Sequence, residues 1–321
     1  MKSKKSEYIT HPFWVMVQKE VADHVKSWRF IILISIIALT CIGSMYTGLS
    51  SIKDAVKSDS DTFFFLKLFT VSNGNMPSFF IFIGFLGPLL GISLGFDAIN
   101  SEQNKGTLSH ILAQPVHRDY LINAKFVASL IIISVMIFAL NLLVLGSGLI
   151  ALGVPPTVEE FLRIIVFAII SIIYIALWLN LSIMLSVRLR QPATSALACI
   201  AIWLFFTVFY PMIVNLITGA LQPSQYAPAL KIIMFEKLKL SLLRIMPNEL
   251  FSEATTTILM PSVRSLGPLT MEQVHGTIPG PLPVGQSILL VWPQVISLFA
   301  GTVLCFVFSY IPFMKREIRS K

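Results

Sequence analysis

Residues 126–153 read FVASLIIISVMIFALNLLVLGSGLIALG, a run without one charged side chain. As a helix it rises about 42 Å, more than the roughly 30 Å hydrocarbon core of a bilayer. In lipid, a helix satisfies its own backbone hydrogen bonds, and an isolated apolar run has no other way to do so. Five further apolar stretches qualify on the same grounds: 30–49, 79–96, 161–187, 193–220 and 288–313. The reading is an all-α integral membrane fold with six transmembrane helices.

Composition agrees. Of the 321 residues, 55% are hydrophobic and 12% charged, and mean hydropathy is +0.79. Soluble domains carry about 25% charged residues. The net charge of +8 gathers at the two ends and in two loops, with no nucleic-acid-binding motif beside it. Cys41, Cys199 and Cys305 all fall in apolar blocks and read as small buried hydrophobes, not as disulfides or metal ligands. The first 28 residues are polar and amphipathic, so no cleaved signal peptide is expected.

With an even number of spans, both ends share a side. That side holds more than half of the 24 basic residues on the shorter total of loop sequence. The positive-inside rule then predicts cytoplasmic N- and C-termini in a multi-pass protein. The chain divides into a cytoplasmic amphipathic elbow helix (1–29), spans one to five with a loop at 97–125 (30–220), an outer loop with short helices (221–287), and the sixth span with a basic tail (288–321).

In the elbow, Thr10 and Pro12 make a helix start. Trp14, Val17, Val21, Val25 and Trp28 recur at helical spacing, with Lys19, Glu20, Asp23 and Lys26 on the other face. The helix is either a simple surface anchor or an element that also touches a cytoplasmic partner. In the second span, Gly87, Gly91 and Gly95 form a double GxxxG that lets another helix approach closely, within the chain or across a dimer or gating contact.

On the outer side, Thr157 with Glu160 predicts a capping box at the start of the fourth span. Residues 229–246, apolar with Lys231, Lys237, Lys239 and Arg244, predict a helix lying at the outer interface. Pro247-Asn248 breaks it, and 249–260 predict a second short helix. The few polar residues inside spans, Asn141, Asn180 and Asn215, read as interhelical bonds. Pro211 predicts a kink in the fifth span.

The loop after the second span carries Leu108, Ile111 and Leu112 as an apolar stripe ended by Pro115, with nothing local to cover it. Such a stripe requires a partner. Its pattern of Glu102, Gly106-Thr107-Leu108, Leu112, Pro115, Arg118 and Lys125 resembles the signature of ABC-2 type permeases, the membrane halves of one class of ATP-driven transporters. The wider run, with Lys19-Glu20 and Pro247-Asn248, looks closest to the permease of the transporter that serves nitrous oxide reductase maturation (copper-site assembly).

The resemblance implies that Glu102, Gly106, Thr107, Leu108, Ile111, Leu112, Pro115 and Arg118 form a coupling helix seated on an ABC ATPase subunit. Arg118 would brace the loop or the elbow, where Trp14, Val17, Lys19, Glu20, Val21 and Trp28 lie. Glu102 and Arg118 could equally pair with headgroups or each other. The resemblance further implies two ATPase copies, a second permease copy, membrane lipid, the cell membrane of a prokaryote, and ATP and Mg held by the partner subunit. No cofactor is expected on this chain. The long outer loop leaves room for an accessory protein.

The chain has no Gly-Lys dipeptide, and so lacks the P-loop that cradles nucleotide phosphates. His11, His24, His110, His117 and His275 all lie outside the spans, which argues against intramembrane metal chemistry. Glu159-Glu160-Phe161-Leu162-Arg163 is one residue short of the EExxxR element of membrane prenyl-protein proteases and is set aside. Met260, Met271 and His275 are scattered and read as binding nothing. The expected function is the permease half of an ATP-driven transporter, with export the expected direction. A non-transporting assembly or signalling module and an ion-coupled secondary transporter are the alternatives.

Overall fold

The computed structural model describes residues 11–55, 63–72, 77–107, 117–153, 155–223, 227–267 and 280–315. Among them there is no strand, and six helices are long and apolar enough to cross a membrane. The elements are α1 (Pro12–Val25), α2 (Trp28–Ala55), α3 (Phe64–Thr70), α4 (Phe79–Gly95), α5 (Asn100–Asn104), α6 (Arg118–Leu152) and α7 (Val158–Arg188). The fifth span follows as α8 (Pro192–Leu204), a π turn (Phe205–Phe209) and α9 (Tyr210–Ala220). Then come α10 (Ala229–Leu243), α11 (Pro247–Leu259) and α12 (Val284–Lys315).

The central element is α7, which packs against α4, α6, α11 and α12. Its seam with α4 is backbone against backbone. A Cβ at Gly91 would sit 2.7 Å from the Ile175 carbonyl oxygen and 2.9 Å from the Leu179 nitrogen, and one at Gly87 would sit 2.9 Å from Ile175 Cγ1. Gly95 abuts Ser182 and the Leu179 carbonyl in the same way. Within this chain, the glycine face of α4 is occupied by α7.

The capping box forms: Thr157 Oγ1 accepts from the Glu160 amide at 3.2 Å, and Glu160 Oε2 accepts from the Thr157 amide at 2.9 Å. The other Glu160 oxygen accepts from the Phe65 amide at 2.9 Å. It thereby fixes α3, whose Phe65, Leu66, Leu68 and Phe69 are buried. One turn on, Arg163 is wholly buried. It donates to the carbonyls of Ile258 (2.8 Å) and Leu282, to Ser287 Oγ (3.3 Å) and to Glu159 (3.0 Å). One guanidinium thus ties α7 to the end of α11 and the entry to α12.

The expectation of an interfacial helix at 229–246 needs correction. The chain folds back into the bundle as a helical hairpin. Going in, α10 runs beside α9, with the Tyr210 hydroxyl 3.0 Å from the Leu242 carbonyl. Coming back, α11 packs against α4, α7 and α12 and buries Phe251, Ala254, Thr255, Ile258 and Leu259. At its inner end, Asn248 Oδ1 lies 2.8 Å from the hydroxyl of Tyr174, about halfway along α7, and Phe251 stacks on that ring at 4.4 Å. Of the four basic residues that suggested an interface, Arg244 is neutralised on folding, whereas Lys231 and Lys237 stay exposed. Glu253 receives Arg244 Nε at 2.9 Å and Gln294 Nε2 at 2.9 Å.

In the fifth span, Pro211 has no amide hydrogen to continue the helical ladder. The Tyr210 amide bonds to the Phe205 carbonyl, five residues back, so the break expected at Pro211 is taken up as a π turn just before it.

Candidate functional site

Beyond the glycine seam, α4 ends in a turn that leads into α5. The Ser186 hydroxyl near the end of α7 accepts from the amides of Ile99 (3.0 Å) and Asn100 (3.3 Å). Asn100 Nδ2 donates to the Leu189 carbonyl at 3.3 Å and Asn104 Nδ2 to the Arg190 carbonyl at 3.0 Å. Gly106, at φ +72°, takes the left-handed conformation that turns the chain away after α5. The segment 97–107 is therefore held by the end of α7 before the loop continues.

The elbow α1 lies across this segment. Val17 packs on Ala124 and Ala128 at the start of α6. Beside them, buried Lys125 extends its Nζ to Glu20 of α1 at 2.9 Å and to Glu102 of α5 at 2.8 Å. Lys19 adds a weaker contact to Glu20 at 3.2 Å. Arg29, at the start of α2, pairs with Asp97 at 2.8 Å and lies 5.1 Å over the Phe96 ring. Four segments thus converge on a polar cavity of about 460 Å³, lined by Lys19, Glu20, His24, Arg29, Asp97, Glu102, Lys105, Thr107 and Lys125 among others.

Burial by itself would raise the Glu20 carboxyl; the Lys125 ammonium, helped by Lys19, overcomes it and holds the group below its ordinary value. For His24, burial pushes the imidazole below its usual value, opposed by Glu20. Both signs point the same way. A carboxylate with a depressed folded pKa stabilises the fold above its unfolded pKa and loses that contribution as pH falls through the folded value. A histidine held neutral loses its contribution as pH falls below the ordinary histidine range. Protease access to the segment joining α1 and α2 should therefore rise on acidification, first below about pH 6.5 and further below about pH 4. A pH-independent cleavage rate between pH 8 and pH 4 would contradict this.

The structure brings Lys19, Glu20, Glu102 and Thr107 together here, with Gly106 at the turn and Val17 and Val21 packed behind. Leu108, Ile111, Leu112 and Pro115 lie outside the described residues. Arg118 is the first residue of α6. The residue that joins elbow to loop is Lys125, which the sequence offered only as part of a pattern. Two elbow assignments change. Trp28 opens the first span instead of lying on α1. Glu20 leaves the solvent face it was given. Its spacing from Val17 and His24, at three and four residues, is the signal that could have placed it on the buried side.

Comparison with known proteins now has a geometry to attach to. The ABC-2 family transporter protein profile matches residues 14–318. The chain belongs to the ABC-2 transporter family. Two curated relatives carry the name "Probable ABC transporter permease protein NosY". The one from Pseudomonas aeruginosa is 26% identical over 204 residues, covering 62% of this chain and 68% of the relative. The one from Stutzerimonas stutzeri is 23% identical over 207 residues, with the same coverages. The ABC-2 protein described here is a permease component of an ABC transporter and not itself the ATPase.

Proposed function

We propose that this ABC-2 permease exports its cargo using ATP hydrolysed on a separate ABC ATPase subunit, which meets it at the loop following α5. In this reading the N- and C-termini are cytoplasmic, and two permease copies work with two ATPase copies. ATP and Mg belong to the ATPase. The observation that carries the proposal is the shared ion pair. Lys125 ties Glu102, at the root of the loop, to Glu20 on the elbow and to the start of α6. A push on the loop is thereby passed to three helices at once. The basic residues gathered at this end of the bundle support its cytoplasmic placement.

The apolar stripe of the loop gives the test. Leu108→Asp with Leu112→Asp should abolish co-purification of the ATPase subunit while membrane insertion and yield stay near wild type. Undiminished co-purification would remove the loop from the ATPase contact. An ion-coupled reading rests on a different observation, the charged residues Arg244, Glu249 and Glu253 within the re-entrant hairpin. Transport in sealed vesicles that collapses with an ionophore but persists without ATP would favour it.

A further inference from the structure

The hairpin of α10 and α11 borders a second cavity, of about 300 Å³, remote in the fold from the Lys125 junction. Its polar lining is Glu249, Ser252, Glu253, Thr256, Thr257 and Ser265, and its apolar wall includes Leu240, Val263 and Leu266. Of these, Glu249, Ser252 and Thr256 stand at helical spacing i, i+3 and i+7 on one face of α11.

Depth makes this arrangement informative. Asn248, next to Glu249, touches Tyr174 halfway along α7. Glu253, one turn on, is held by Gln294, about 15 Å along α12 from its start. The neighbouring carboxylate of Glu253 is neutralised by Arg244 through two contacts, at 2.9 and 3.1 Å. Half-buried Glu249 has no hydrogen bond or ion pair with any described residue, and neither do the hydroxyls of Ser252 and Thr256. Arg244 acts on Glu249 only at a distance, its direct partner being Glu253, and an ionisable side chain at such depth without a direct ion pair marks a functional position.

We propose that this cavity binds the ammonium group of an organic cation. An ammonium carries three N–H donors and no acceptor. Glu253, Thr257 and Ser265 are already engaged, which leaves one carboxylate and two hydroxyls of the lining as open acceptors. Leu240, Val263 and Leu266 face the alkyl body. A divalent metal fits poorly, because it takes six or more oxygen ligands and usually several carboxylates, and only one here is unpaired.

The probe is n-butylammonium chloride, titrated into the purified full chain in detergent and followed by saturation-transfer NMR. Binding is read without ATP or an ATPase, so failure of the ATPase-contact test leaves this result unaffected. Saturable binding is expected, with no competition from uncharged 1-butanol. Glu249→Gln should weaken it at least about tenfold, the loss of a charged hydrogen bond, and Glu249→Asp should retain part of it. Thr256→Val should weaken it about threefold, keeping the test sound if Glu249→Gln does not fold. Absence of saturable binding, unchanged affinity in either variant, or equal competition by sodium ions would overturn the proposal.

Discussion

Lys125→Met should lower stability by about 3–5 kcal/mol, a large share of the roughly 5–15 kcal/mol that holds a typical domain folded. The lysine side chain is 6% exposed, and those of Glu20 and Glu102 are 10% and 14% exposed. Without the ammonium, two carboxylates remain in a site that water barely reaches. Among the described residues, the lysine left beside Glu20 is Lys19, at 3.2 Å and largely solvated. A lower thermal midpoint in detergent and faster cleavage between α1 and α2 are the expected readouts. The triple variant Lys125→Met, Glu20→Gln, Glu102→Gln should recover much of the loss, because neutral amides cost less to bury than unpaired charges. A single variant that melts with the wild type would show that the ion pair contributes little.

Arg163→Leu is expected to be comparably damaging, at the other end of the bundle. The side chain it removes is fully buried and serves acceptors on α11, on the approach to α12 and on α7 itself. Leucine leaves the Ile258 and Leu282 carbonyls and Ser287 without this donor, at about 1–3 kcal/mol for each group left unsatisfied. Glu159 is less affected, being 38% exposed and able to return its charge to water. Arg163→Lys should not restore stability. An ammonium is compact, and the planar fork of the guanidinium is what spans acceptors on different segments. Thermal unfolding together with protease access between α11 and α12 measures the effect; a lysine variant equal to wild type would contradict it.

Both residues show where the sequence was readable and where it was not. The six spans follow from the length of uncharged runs, because that property depends on each segment alone. The segment from Phe96 to Lys125 stood out because an apolar stripe in a polar loop is also a local feature. Lys125 and Glu20 were harder. Each sits in an ordinary position for a charge at a membrane edge, and only folding shows that they neutralise each other. Arg163 was visible only as an ill-fitting protease motif. The hairpin misled for the same reason. Arg244, one of the basic residues that suggested an interface, looks too polar to enter the bundle until it is seen to pair with Glu253 at 2.9 Å. Hydropathy counts charges one at a time, and Arg244 with Glu253, like Lys125 with Glu20, is removed from water as a pair.

The glycine seam between α4 and α7 bears on how force travels. Side chains between two helices can hop between rotamers and so let the pair shift, even in a barely compressible interior. Where Gly91 meets the Ile175 carbonyl and the Leu179 nitrogen, no such side chain intervenes. The bonds from Ser186 to Ile99 and Asn100 pin the far end of the same pair. The two helices thus lie locked side by side, with Glu102 near one tip and the Tyr174–Asn248 contact along their length. Movement of either helix along this seam should therefore carry the other with it.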